Sequence, residues 1–227
     1  MDVEASFVVL GLLIAGAVAW WQWQAKRKRH DAFVTLATQF GLEHATEDPF
    51  GLLGEPFALF SKGDGRGIDH VVWGEWQQMP LRAFDYWYYE ESTDSNGHRS
   101  KSYSRFSGVI TPIEAACSAL SITPENVLTR LKDALTFRDI DFESEEFNRA
   151  FEVRCNDKKF AHTLIDARMV AWLLASGREH SFEIVGNRVL CYRKRVDPMA
   201  YVHLFGTTRG FREAIPAVVF NLYPRSG

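Results

Sequence analysis

The sequence predicts an α+β protein: a single N-terminal transmembrane helix followed by antiparallel sheets packed with helices. Three observations carry this. Ala5 to Ala25 holds no charged side chain and runs into Lys26-Arg27-Lys28-Arg29. Residues 57–110 hold β-rich runs separated by turn signals. Beyond residue 120, capped helical patterns alternate with short apolar runs.

About 20 apolar residues at 1.5 Å each cross a hydrocarbon core roughly 30 Å thick. Phe7, Val8, Val9, Leu10, Leu12, Leu13, Ile14 and Val18 lie in the first segment. Together they contribute about −2 to −5 kcal/mol to insertion, which one central charge would largely cancel. The span is placed at 5–25 and a basic stalk helix at 26–44. Trp20, Trp21, Trp23, Lys26, Arg27, Lys28 and Arg29 are its membrane-interface candidates, because indoles and cations favour the headgroup zone. Asp2 and Glu4 precede the span, so the positive-inside rule puts the C-terminal part in the cytoplasm and the N-terminus outside. The implied location is the cell membrane, single-pass. An acidic N-terminus and bulky tryptophans argue against a cleaved signal peptide. The partners expected are the lipid bilayer and a protein partner, or a second copy packed along Gly11, Ala15 and Ala19.

The remaining stretch is long enough for one good core or two small lobes. The expected division is a β-rich lobe at 45–115, an α+β lobe at 120–200 and a tail at 201–227. The chain carries a net charge of −3 despite the basic block, which argues against nucleic-acid binding. Cys117, Cys155 and Cys191 are widely spaced, so neither zinc-ligand spacing nor a disulfide framework is indicated.

Phe33, Leu36, Ala37 and Phe40 form one helical stripe closed by Gly41. Residues 47–56 carry Pro49, Gly51, Gly54 and Pro56 and read as a loop. Residues 57–61 read as a strand and Gly63-Asp64-Gly65-Arg66-Gly67 as a turn without the P-loop lysine. Ile68–Trp76, Leu81–Tyr89 and Ser102–Ile110 read as strands, the last two joined through Asn96-Gly97. The spacing predicts a helix from Thr123-Pro124-Glu125, striped by Val127, Leu128, Leu131 and Leu135. Asp139 to Phe147 is an acidic patch without EF-hand spacing. Phe151–Cys155 reads as a strand. Asp157 and Asp166 then cap a helical stretch in two pieces. Ser181–Val185 and Arg188–Arg193 read as a hairpin around Gly186-Asn187. Pro198–Phe205 reads as a helix and Pro216–Tyr223 as a closing strand or docked tail.

Phe84-Asp85-Tyr86-Trp87-Tyr88-Tyr89 puts large rings on both faces of a strand. Phe84, Tyr86, Tyr88 and Trp87 are the candidate interaction surface, set against a central strand covered on both sides. The seven histidines show no HExxH or HxH spacing, and no Gly-x-Ser-x-Gly elbow or dinucleotide fingerprint occurs. No catalytic residue, metal ligand or cofactor is assigned.

Phe147-x3-Phe151-x-Val153-x3-Asp157, Leu164-Ile165-Asp166 and Phe182-x-Ile184-x-Gly186-Asn187-x-Val189-Leu190-x-Tyr192 resemble a family of uncharacterised bacterial membrane-anchored proteins. So do Phe60-Ser61-x-Gly63, Trp73-Gly74 and Phe84-Asp85-Tyr86. The resemblance covers most of residues 30–200. It implies an N-terminal span with a cytosolic α+β domain, and supplies no catalytic residues. The expected function is a membrane-tethered cytosolic binding or scaffold module. The alternative is an enzyme acting on a lipid or membrane-proximal substrate, with Asp85 or His70 as acid/base.

Overall fold

A six-stranded antiparallel sheet forms the centre of the molecule, with helices on one face and a short irregular segment on the other. The computed structural model describes residues 3–95, 97–125 and 140–225, with the backbone alone for 3–11. The strands are β1 (Glu43–Ala45), β2 (Gly65–Trp76), β3 (Met79–Thr93), β4 (Arg99–Pro124), β5 (Phe151–Cys155) and β6 (Ser181–Lys194). The helices are α1 (Val3–Phe40), α2 (Glu145–Ala150), α3 (Lys158–Leu164), α4 (Ala167–Trp172), α5 (Tyr201–Ala214) and α6 (Ala217–Leu222). The order β1-β2-β3-β4 is a meander. β6 runs along one edge of β4, while β3 and then β5 occupy the other.

α1 continues unbroken through the basic block. Arg29, Phe33, Leu36 and Ala37 recur at helical spacing, so they share one face. Phe33, Leu36 and Ala37 are buried against the sheet. Full burial of Phe33 and Leu36 contributes about 3–6 kcal/mol, as an upper figure. Gly41 closes the helix at φ 65, and the Leu42 amide donates to the Ala37 carbonyl at 2.8 Å, as in a Schellman ending.

Among the described residues, no helix is long and apolar enough to cross a membrane. From Lys26 on, α1 carries Lys26, Arg27, Lys28, Arg29 and Asp31 and packs on the sheet through Phe33, Leu36 and Ala37, so the second half of the helix belongs to the folded domain. This overturns the expected single-pass transmembrane helix. The cell-membrane location, with N-terminus outside and C-terminal domain cytoplasmic, rested on that helix and falls with it.

The remaining elements follow the local chemistry in part. Asp157 accepts from the Phe160 amide and Asp166 from the Met169 amide, so the two expected caps open α3 and α4. The expected turn at 63–67 instead enters β2. Gly65 pairs with Tyr89 and Gly67 with Trp87, and a Cβ at either glycine would meet the partner ring at 2.4 Å and 2.6 Å. These glycines leave room for aromatic rings lying across the strand. In place of the strand expected at 57–61, Ala58–Ser61 forms a 3-10 turn, and a second such turn covers Leu52–Gly54. The boundary expected between lobes, between residues 115 and 120, falls inside β4, which pairs with β3, β5 and β6. Thr123 and Pro124 end that strand. The helical stripe at Val127, Leu128, Leu131 and Leu135 lies outside the described residues. So do Asn96, of the expected Asn96-Gly97 turn, and Asp139, the first residue of the acidic patch. Gly186, expected in a turn, sits at φ 57 within continuous β6, opposite Cys117 where the register with β4 shifts. The tail at 217–222 is helical, not a strand, and docks through the Ala116 amide on the Tyr223 carbonyl.

Candidate functional site

β3 organises the candidate site because its successive side chains face opposite covers. Phe84, Tyr86 and Tyr88 point toward the 52–61 segment and are at most 1% exposed. They are core, which corrects their reading as an interaction surface. The physical reason is the cover: the 3-10 turns at Leu52–Gly54 and Ala58–Ser61 lie over them. The Tyr86 hydroxyl donates to the Leu59 carbonyl at 2.9 Å. Trp87 faces the other way and is half-buried. Its ring lies nearly parallel to Tyr89, 6.4 Å between centroids, and beside Tyr103.

Asp85, on the helix-covered face, is the centre of a buried polar clamp. Arg29 grips its carboxylate with two donors, at 2.5 and 2.7 Å, and also donates to the Val196 carbonyl at 3.0 Å. The Tyr201 hydroxyl donates at 2.8 Å and the Ser107 hydroxyl at 3.4 Å. Burial first, and then the Asp85 charge, hold the Tyr201 phenol well above its ordinary pKa, so it remains a donor. Burial alone would lower the Arg29 pKa, but the hydrogen bond and charge of Asp85 outweigh it and the pKa is raised. Arg29 therefore belongs to the interior of this domain, not to a membrane interface. Asp85 has its acceptor sites filled and is 4% exposed, which leaves it no route to a substrate as acid or base. Trp20, Trp21 and Trp23 stay exposed on the projecting half of α1, as do Lys26, Arg27 and Lys28. Ala15 and Ala19 are exposed there as well; Gly11 lies outside the described side chains.

His70 lies beside this clamp in a position the sequence does not reveal. β2 carries a bulge between Asp69 and Val72, and His70 sits in it at φ 51. The bulge brings its ring next to His44 of β1 and His30 of α1. Centroids are 5.6 Å apart for His44–His70, 5.4 Å for His30–His44 and 5.9 Å for His30–His70. Phe33 stacks on both His70 and His44. One ring nitrogen from each histidine lies within 4.8 Å of the other two. His44 Nε2 and His70 Nδ1 are buried and have no hydrogen-bond partner among the described residues. Burial, with the neighbouring imidazoles, lowers the His44 pKa to about 4. Burial likewise lowers that of His70, with Asp85 opposing and Arg29 reinforcing. Both rings are neutral at pH 7, the form in which imidazole binds a metal. The residues are 14 and 26 positions apart. Only the pairing of β1 with β2 and the docking of α1 unite them, so no sequence motif announces the cluster.

The opposite face holds an apolar cavity of about 470 Å³, open to solvent. Leu53, Pro56, Phe57, Phe60, Ala119, Leu120 and Val185 line it, with Arg66, Glu55 and Glu183 as its charged groups. Glu183 is buried. Its carboxylate accepts from the Ala58 amide at 2.6 Å and the Leu59 amide at 3.1 Å, fastening the cover to β6. Burial raises its pKa to about 7 against those hydrogen bonds. Glu55 pairs with Arg188 at the edge of the cavity. All three cysteines are buried free thiols, and burial pushes Cys117 and Cys191 up to about 12, which leaves them unreactive.

These features define an α+β protein with a six-stranded antiparallel sheet, polar clamps under both covers and an open apolar cavity. Among solved structures, the chain is similar to the crystal structure of the mycobacterial trehalose monomycolate transport factor A, TtfA. The TM-score is 0.62 at 12% identity, covering 88% of this chain and 99% of that one. At that identity the likeness is one of fold. No family model matches the chain, and no curated protein matches it.

Proposed function

We propose that this chain is a non-catalytic binding or scaffold component of lipid transport, which holds an acyl chain in the cavity beneath the 52–61 cover. The single observation that carries the reading is that cavity. Its volume lies within the roughly 300–1,000 Å³ of small-molecule sites, and its wall is mostly apolar with a few charged groups at fixed places. The fold likeness to a protein named for lipid transport supports the class of ligand by analogy. Arg66 is placed to meet an anionic or hydroxylated headgroup, while Leu53, Phe57, Phe60 and Val185 meet the chain.

The full chain would be titrated with a fluorescent long-chain fatty-acid probe. Ala119 is half-buried in the cavity wall, so Ala119→Trp fills the space without removing a core side chain. Saturable binding that weakens at least about tenfold in this variant supports the proposal; about 1.4 kcal/mol corresponds to that factor. Binding equal in both proteins, or no saturable binding by either, overturns it.

A further inference from the structure

We propose that His30, His44 and His70 form a binding site for a borderline divalent transition metal, with zinc as the reference ion, which fastens α1 to the edge of the sheet.

The chemistry of the three donors points to this class. Imidazole nitrogens suit zinc, copper, nickel and iron rather than magnesium or calcium, which take oxygen ligands. Three histidines leave a fourth position for water, the open arrangement seen in three-ligand zinc sites. The ring nitrogens already converge within 4.8 Å of one another. A tetrahedral zinc with Zn–N of about 2.1 Å needs nitrogen separations of roughly 3.4 Å. Side-chain rotation supplies that contraction, since all three residues are only partly buried and keep a face open for entry.

Two further observations separate this cluster from simple ring packing. Buried polar nitrogens normally find a hydrogen-bond partner. His44 Nε2 and His70 Nδ1 have none among the described residues, and a metal ion satisfies such atoms. The support around the rings is also specific. Thr46 Oγ1 stands 3.5 Å from His30 Nδ1, and its backbone carbonyl accepts from the His70 amide at 2.9 Å. Phe33 backs both His44 and His70. The cationic neighbours of the cluster are Arg29 and Arg195; Asp85 is the nearby anion, and it already engages Arg29. The site thus carries no large excess of positive charge to repel an ion.

The three ligands come from three separate elements. Metal binding therefore does mechanical work that no single strand could: it joins the helix to β1 and β2 beside the Arg29–Asp85 clamp. The projecting half of α1 then takes a fixed direction relative to the sheet.

The test uses the untagged, metal-stripped full chain, titrated with cobalt and then with zinc against a chromophoric chelator. The expected result is one ion per chain, cobalt absorption of four-coordinate intensity, displacement of cobalt by zinc and a raised unfolding temperature with zinc. His30→Ala and His70→Ala should each weaken zinc binding by more than about 100-fold, because even outer-shell partners of a ligand carry 10–100-fold. His98→Ala, at an exposed hairpin tip, should bind as the parent chain does. His70 occupies a left-handed position, so its variant is checked for folding by circular dichroism. His30, on the helix surface, carries the test if that variant fails. Zinc binding unchanged in His30→Ala, or no stoichiometric zinc binding by the parent chain, overturns the proposal.

Discussion

Replacing Glu183 by glutamine isolates the electrostatic cost of holding a carboxylate beneath the cover. Burial raises the Glu183 pKa from 4.5 to about 7. Between those values the native chain binds more protons than the unfolded chain, so stability falls as pH rises through the window. At about 1.4 kcal/mol per pKa unit, the full loss is about 3 kcal/mol, of which about 2–3 kcal/mol falls between pH 5 and 8. Glutamine does not titrate. It also keeps only one carbonyl for the Ala58 and Leu59 amides, and the clash of its own amide with the second costs about 1–3 kcal/mol at every pH. The variant should therefore be the less stable chain at pH 5. By pH 8 it should gain on the parent by about 2–3 kcal/mol. Urea unfolding followed by tryptophan fluorescence at the two pH values gives both numbers. The histidines titrate in both chains and cancel in the difference. If the two chains change stability in parallel between pH 5 and 8, Glu183 is not a buried acid of raised pKa and the reasoning fails.

Three other expectations follow from single contacts. Arg29→Met leaves the Asp85 carboxylate buried without its cation and should cost about 3–5 kcal/mol in denaturant unfolding; adding Asp85→Leu should recover part of that loss. His180 has both ring nitrogens buried without a partner among the described residues, so His180→Leu should stabilise the chain by about 1 kcal/mol at pH 7. Its pKa is lowered by burial to about 4, so the unfolded chain takes the proton first. The parent should lose stability as pH falls from about 6.5 to 4, and the leucine variant should lose less. Asp166→Ala removes the acceptor of the Met169 amide and should lower stability by about 1 kcal/mol, read as a fall in melting temperature with α4 fraying.

The parts of the fold written in a few consecutive residues were legible. Asp157 and Asp166 announce α3 and α4 because a cap needs only its own next three residues. Gly41 ends α1 for the same reason. Long-range structure was not legible. β4 passes through Pro112 and a register shift near Cys117, and each resembles an end when read alone. The strand continues because β6 follows it along one edge. Gly65 and Gly67 resemble a turn, yet they serve rings contributed by β3. The apolar start of α1 resembles an anchor. Its docked half is fixed by Arg29, whose partner Asp85 is 56 residues away. The histidine cluster depends on a bulge, a strand pairing and a helix docking at once, and no spacing encodes all three.

Asp85 and Tyr86 show why this sheet needs polar anchors to choose one register. A strand with one apolar face is held in register by its alternation. β3 has apolar residues on both faces, Leu81 and Ala83 toward the helices and Phe84, Tyr86 and Tyr88 toward the 52–61 cover. A slip by one residue would exchange these sets, and hydrophobic burial alone would resist it weakly. The slip that carries Asp85 into the place of Tyr86 would also set its carboxylate against the Leu59 carbonyl, where Tyr86 now donates, and leave Arg29 facing the Phe84 ring. An unpaired buried charge costs several kcal/mol, more than the difference between the two apolar faces. Adjacent residues of β3 thus bind opposite covers, α1 and α5 through Asp85 and the 3-10 turn through Tyr86, and only the native register lets both bonds form.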